Sequence, residues 1–307
     1  MPPPEAAAGG PGAAHQWIDL LGRCTFPPPG APLTCAVSGG PDSLALLVLA
    51  CVAGCAVTAV HVDHGLRPHG ESEAAVVADA ARRFGARFAA RRVEVAAGPN
   101  LEARLREARW SVLPPDAATG HTADDQAETV LLNLLRGAGL DGFAGMRPGP
   151  RHPLLALRRA DTVAVCAAEG LVPVVDPTNT DPGFRRNRVR HEVLPLLDDV
   201  AGRDTTPLLA RAAARARAVV DHLEVASAEA IPDPTDVAAL RAAPEPLATV
   251  ALRRWLRACS PHGHPPDAAA LERVLEVVRG AVRATEIGGG WRVGRRAGRL
   301  VLEPPGG

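Results

Sequence analysis

The chain has 307 residues, 47% hydrophobic and 22% charged, and its 34 basic and 34 acidic residues give a formal net charge of zero. That length can bury a large core and fits one full domain plus a smaller one, and the even balance excludes a uniformly basic nucleic-acid coat while leaving room for local basic faces. All 34 basic residues are arginine, which excludes a kinase-type phosphate loop, because that loop needs a lysine.

Residues 1–14 hold proline, alanine and glycine with a single acid, which predicts a disordered tail. With no basic start and no apolar stretch they do not read as a signal peptide. The longest apolar run, residues 44–57, is too short to cross a bilayer, so no membrane association is expected. No Cys-x-x-Cys pair occurs among the six cysteines. Cys35, Cys51, Cys55 and Cys166 lie in apolar runs and read as buried free thiols. A cytoplasmic protein is expected.

A short helix over 16–23 and a Pro-rich link lead to residues 33–43, the stretch around which the chain is organised. Residues 33–37 read as a buried strand and 44–50 as a buried helix. Between them Ser38, Gly39 and Gly40 let the backbone approach an anion, with amide N–H groups free where Pro41, Asp42 and Ser43 open the helix. An acid at that point repels bare phosphate but can hold Mg²⁺, so the pattern suits a phosphate-rich ligand with a metal. The bland alternative is an ordinary strand–turn–helix corner.

A second strand over 56–62 carries His61 and ends in Asp63-His64-Gly65-Leu66-Arg67, either a ligand-facing loop or a Gly turn. A helix over 71–84, a strand over 87–95 and a helix over 101–113 follow. The last carries Arg104, Arg106 and Arg109, one of which could face phosphates while the rest are solvated. A short strand edge over 117–120 precedes a helix over 122–136. This alternation predicts an α/β fold with a doubly wound parallel sheet and ligands at the strand C-termini, where the polar groups at Ser38, Asp63 and His121 fall.

Beyond it come a Gly-rich mobile loop over the site (137–150), a helix over 161–169 and a strand over 171–175. A polar loop over 176–190 places Arg185, Arg186, Arg188 and Arg190 within six residues. Nucleic-acid or ATP phosphates are natural partners for it, with a solvated charge run as the alternative. A long helix over 206–231 leads to two helices (246–258 and 267–278) and a hairpin over 285–303. The expected organisation is a tail (1–14), a catalytic domain (15–204), and a helical linker with a small α+β domain (205–307).

Residues 120–129, Gly-His-Thr-Ala-Asp-Asp-Gln-Ala-Glu-Thr, open a helix with three acids. Acids favour a helix start electrostatically, so capping alone is one reading. The other is a site. Asp125 and Glu128 are three apart and share a face. With Asp42 they could bind Mg²⁺ and a cationic amine.

Ser38–Ser43 resembles the signature loop of the ATP-pyrophosphatase (PP-loop) enzymes. Together with residues 61–67, 100–110, 120–137 and 176–190, in this order, it resembles the tRNA(Ile)-lysidine synthase family of that superfamily. The likeness is dense over 32–200 and loose beyond 206, and Trp110 stands where the family's pattern has tyrosine. It implies a Rossmann-like domain with ATP bound by Ser38, Gly39, Gly40, Pro41, Asp42, Ser43, His61, His64 and His121. It implies Mg²⁺ on Asp42 and Asp125, assistance from Arg106 or Arg186, and free lysine held by Asp125 and Glu128. Arg109, Arg185, Arg188 and Arg190 would contact a tRNA(Ile) with a CAU anticodon. The implied reaction adenylates the wobble cytidine and replaces AMP with lysine. A homodimer is compatible with the chain.

Three other functions compete. A sulfur-inserting tRNA enzyme would need catalytic cysteines or an iron–sulfur cluster, against which the missing Cys-x-x-Cys pairs weigh. An amidating ligase would need a glutaminase. A non-catalytic nucleotide sensor would be expected to carry broken motifs, and none is visible.

Overall fold

The computed structural model describes residues 16–63, 70–93, 101–259 and 268–305. The expected tail and His64 lie outside the described residues, as does the side chain of Arg106. The described chain forms two compact units, one within Met1–Thr129 and Met146–Ala210, the other within Val130–Gly145 and Arg211–Gly307.

In the first unit β1 (Pro32–Ala36), β2 (Ala56–Asp63) and β3 (Arg87–Arg92) form a parallel sheet in that order. Thr34 is in register with Thr58, and Thr58 with Arg87. On the other edge of β1, Ala118 makes a single parallel bridge to Cys35. The Ala36 N–H donates to Ala118 O at 2.9 Å, and the Ala118 N–H to Thr34 O at 2.7 Å. The strand edge expected at 117–120 is one bridge wide. Parallel pairing sends β1, β2 and this bridge in one direction, so Ser38, Asp63 and His121 leave the same end of the sheet.

Helix α1 (Ile18–Leu21) is short. In α2 (Pro41–Val52) every residue from Ser43 to Ala50 is buried, as befits a helix apolar on all sides that packs among β1, β2 and a second helix. That second helix is α7 (Arg159–Ala168), which follows α3 (Gly70–Arg83), α4 (Leu101–Ser111), α5 (Ala123–Leu135) and α6 (Leu140–Phe143).

Two expectations need correction. Residues 171–175 are not a strand. Val172 and Val175 are exposed, Pro173 has no N–H to offer a ladder, and the Val174 N–H donates to Gly39 O at 3.0 Å. β-branched composition predicted a strand, but the segment's backbone bond goes to the loop before α2. Nor are residues 176–190 all loop. After a 3₁₀ turn (Pro177–Thr180), α8 (Arg185–Arg188), a π-helical turn (Val189–Val193) and α9 (Leu194–Ala201) follow one another directly. The wide π turn lets the helical path pass Pro195, which has no N–H to donate.

Helix α10 (Thr206–Ala230) begins in the first unit and enters the second at Arg211, where α11 (Val237–Ala242), α12 (Glu245–Cys259) and α13 (Ala268–Arg279) precede an antiparallel meander of β4 (Ala284–Gly288), β5 (Trp291–Arg296) and β6 (Arg299–Glu303). The core of the second unit joins Ile231, Leu252, Leu256, Val274, Val277, Val293 and Leu300. The Gly-rich stretch expected as a mobile loop contains α6. There Asp141 pairs with Arg257 at 3.3 Å and with Arg217 and Arg253 at 3.8 Å. No helix among the described residues is long and apolar enough to cross a membrane.

Candidate active site

The turn after β1 is tied to the start of α2 by one hydroxyl. Ser43 Oγ accepts from the Ser38 N–H at 3.1 Å and donates to Gly40 O at 2.9 Å. Gly40 is the N-cap and supplies no side-chain cap, while Pro41, pre-set for helix, sits in the first turn. The first-turn N–H groups and the positive end of the helix dipole therefore face an incoming anion. Two glycines are required here. Gly39 has φ +90°, and a Cβ on it would meet Val174 at 3.1 Å. A Cβ on Gly120 would lie 2.4 Å from Asp42 O. That close approach brings the two strand ends, and the acids that follow each, within reach of one another.

Asp42, Asp125 and Glu128 converge, and three arginines meet them. Arg159, at the start of α7, donates through Nε to Asp42 Oδ2 at 3.3 Å and through Nη2 to Asp125 Oδ1 at 3.1 Å, and its Nη1 lies 3.6 Å from Glu128 Oε1. Arg186 donates to Glu128 Oε2 at 2.6 Å and to Asp125 Oδ1 at 3.2 Å. Arg190, one helical turn on, donates to Glu128 Oε1 at 2.6 Å and Oε2 at 3.1 Å. Glu128 is wholly buried, and such a carboxylate is tolerable only because two guanidiniums satisfy it.

The protonation balance differs between the acids. Burial pushes the Asp42 carboxyl up from its ordinary value, opposed by the Thr162 hydroxyl that donates to it and by Arg159. Burial also acts to raise Asp125, but Arg159 and Arg186 outweigh it and hold that carboxyl below its ordinary range. Asp125 Oδ2 further accepts from the Thr122 N–H at 2.8 Å and the Thr122 hydroxyl at 2.9 Å. Beside them Asp124 accepts from Arg158 at 3.0 and 3.1 Å and from the Arg159 N–H at 2.8 Å, which fixes the start of α7 on the start of α5.

Asp42 and Asp125 both reach the single guanidinium of Arg159, so two hard oxygen donors face the same cation. That donor set fits Mg²⁺, which takes one or two carboxylates and completes its shell with phosphate oxygens and water.

His121 and His152 stand edge to face with centroids 5.2 Å apart, and their Nδ1 atoms lie 2.6 and 3.0 Å from Thr119 Oγ1. Burial pushes the His121 imidazole down to about 3. At neutral pH it is a neutral hydrogen-bonding group, not a cation. His61 is buried, and its Nδ1 donates to Val37 O at 3.0 Å. Trp110 lies under the guanidinium of Arg151, 5.1 Å from its centroid.

The remaining expected residues divide. Arg109 is half-buried on α4 and adds a positive field at His121. Arg185 is exposed, as is Arg188, which pairs with Glu192 at 2.9 Å. Arg190, expected beside them on RNA, turns inward to Glu128. Arg158, Arg159 and Thr162 meet the acids of the site and were not expected, while Asp124, one of the three acids expected to open the helix, is taken up by Arg158 and the Arg159 N–H. Two arginines at the start of a helix oppose its dipole, and that unfavourable placement is the signal in the sequence. The described thiols of Cys24 and Cys51 are pushed up to about 12 by burial and that of Cys166 to about 11, the opposite of an activated cysteine.

A family model described as a PP-loop domain matches residues 21–197, and one described as a TilS substrate binding domain matches residues 236–301. The tRNA(Ile)-lysidine synthase of Nocardia farcinica is 46% identical over 209 residues, which cover 64% of this chain and 66% of that protein, just under two thirds of its length. The tRNA(Ile)-lysidine synthase of Salinispora tropica is 40% identical over 326 residues, covering 95% of this chain and 94% of that protein. Among solved structures, the U34-tRNA thiolase NcsA from Methanococcus maripaludis superposes with a TM-score of 0.51 at 16% identity, covering 69% of this chain and 81% of that one. At that identity the likeness concerns the fold alone.

Proposed function

This chain belongs to the tRNA(Ile)-lysidine synthase family, and we propose that it ligates free lysine to C2 of the wobble cytidine in a tRNA(Ile) with a CAU anticodon. ATP is consumed to AMP and pyrophosphate. The observation that carries this reading is the convergence of Asp42, Asp125 and Glu128 with Arg159 and Arg186 at the strand ends, beside the Ser38–Ser43 turn. Within this reading residues 15–204 do the chemistry, and residues 205–307 are the accessory part that grips tRNA.

The triphosphate lies against the first-turn amides of α2. The C2 carbonyl oxygen of the cytidine attacks the α-phosphorus, the bond from that phosphorus to the bridging oxygen breaks, and pyrophosphate leaves. Arg159 and Arg186 offer planar N–H forks to the phosphate oxygens as charge builds. Asp42 and Asp125 would hold Mg²⁺, which when bound neutralises charge on the leaving group. The cytidine must be unstacked to reach this point.

Asp125 and Glu128 then hold the ε-ammonium of lysine. It loses a proton, its nitrogen attacks C2, and the bond from C2 to the AMP oxygen breaks. A second proton leaves the nitrogen, and lysidine and AMP are released. Because the arginines around it hold Asp125 ionised at neutral pH, it can accept a hydrogen bond from the ammonium once that group is in place.

The test is ATP-dependent incorporation of radiolabelled lysine into tRNA(Ile) bearing CAU, with tRNA(Met), which shares the anticodon, as control. Labelling of the isoleucine tRNA alone is expected. ATP–pyrophosphate exchange that requires a different acceptor, without lysine transfer, would overturn the named reaction.

A further inference from the structure

The charges of the site cancel. Three acids, Asp42, Asp125 and Glu128, face three guanidiniums, Arg159, Arg186 and Arg190. A lysine ammonium approaching this arrangement meets no net attraction, and each carboxylate it needs already has a cationic partner.

The three arginines are not held equally. Arg186 and Arg190 each make a 2.6 Å bond to Glu128, and they sit one turn apart on a continuous helical path. Arg159 comes from a different helix and spreads its guanidinium over three acids at 3.3, 3.1 and 3.6 Å. Charge-assisted bonds of full strength run at about 2.7–2.9 Å. Arg159 is therefore the cation that yields first. It also faces Asp42, in the first turn of α2, where a triphosphate would lie.

We infer that Arg159 gates the lysine site: it occupies the acids as a resident cation until the phosphates of bound ATP draw it away, and lysine binds in the position it leaves. This inference rests on reading Asp125 and Glu128 as the lysine site. A guanidinium prefers a bidentate phosphate to a long interaction shared among carboxylates. Its transfer removes one positive charge from beside Asp125 and Glu128, and a lysine ammonium can take that place. Because binding coupling is reciprocal, lysine must strengthen nucleotide binding by the same factor. The enzyme would in this way take ATP before lysine and avoid holding lysine with nothing to react.

The test is calorimetric titration of free L-lysine into the full chain, with and without α,β-methylene ATP, which cannot be split at the bond that breaks. In the unaltered protein, lysine affinity is expected to rise about tenfold or more with the nucleotide, within the usual range of allosteric coupling. Arg159→Gln is expected to bind lysine without nucleotide about as tightly as the unaltered protein does with it, and to show almost no response to the analogue. Arg159→Lys keeps a resident cation without the bidentate fork and is expected to retain part of the response, which a merely structural role would not produce. If Arg159→Gln keeps the full tenfold dependence, or if the unaltered protein binds lysine equally well with and without nucleotide, the gate is wrong while the lysine site stands. If the unaltered protein binds lysine in neither condition, the lysine site itself is wrong and the gate falls with it.

Discussion

In the first unit Arg159, Arg186 and Arg190 turn inward to meet Asp42, Asp125 and Glu128, whereas in the second Arg283, Arg292, Arg295 and Arg296 stand exposed on or beside the meander. Among the described residues none of these four makes an ion pair. A buried guanidinium must be matched by an acid, because the cost of taking the charge out of water falls on whichever partner is left alone. An exposed one bears no such requirement and stays available to a phosphate backbone. One residue type thus stands in two environments, set by burial, and a neutral total charge conceals both.

The largest effect is expected at the buried acids. Glu128→Ala removes the closest acid of both Arg186 and Arg190 and leaves them to share Asp125, at a cost of about 3 kcal/mol, the lower end for a broken buried pair because both arginines keep some exposure. Chemical denaturation should show that loss. An unchanged midpoint would mean that the lattice of acids and arginines is not a stabilising one.

Gly120→Ala is next. The new methyl would collide with the Asp42 carbonyl at 2.4 Å, and backbone cannot step aside as a flexible side chain can. A destabilisation of roughly 1–3 kcal/mol is expected, together with weakened ATP binding in a fluorescent-nucleotide titration. Intact ATP affinity would separate the loop from the acids it is said to approach.

At the exposed end, replacing Arg292, Arg295 and Arg296 together by alanine should weaken tRNA binding several-fold. The slope of log affinity against log salt should fall by about one for each phosphate that is no longer neutralised. ATP affinity should not change. Weaker tRNA binding with an unaltered salt slope would argue against pairing of these arginines with phosphates.

The smallest effect is one of pH. Because Asp42 is raised from its ordinary value, falling pH protonates it before a normal carboxyl, whose pKa is about 3.9. Activity is lost as that proton arrives. The Thr162 hydroxyl lowers the Asp42 pKa, so Thr162→Val should move the acid limb of ATP turnover to higher pH. A limb that stays put or moves down would contradict the assignment.

The features legible in the sequence are those whose chemistry is local. Ser38–Ser43 announces a phosphate turn because glycine, proline and a first-turn acid have few other reasons to adjoin. Asp125 and Glu128 announce a shared helix face by their spacing. Arg159 stands out only as a cation at a helix start, with nothing to name its partners: it lies more than thirty residues from Asp125, and the packing of α7 on α2 brings it to Asp42 and Asp125. The region 176–190 reads as loop because its Asn, Asp and Pro content is turn-like, although the spacing of four between Arg186 and Arg190 is helical. Residues 171–175 mislead in the opposite direction. Their β-branched composition suits a strand, but a proline and two exposed valines leave the segment with a bond to the loop at Gly39 instead.

The division of labour among the acids is tested most directly by following pyrophosphate release and lysine transfer separately, on the same tRNA, in Asp42→Asn and Glu128→Gln, below the unfolding midpoint of each. Asp42→Asn is expected to lose pyrophosphate release and with it everything that follows. Glu128→Gln is expected to release pyrophosphate and accumulate adenylated tRNA while transferring little lysine. Lysine transfer at an undiminished rate in Glu128→Gln, or equal loss of both steps in the two variants, would contradict it.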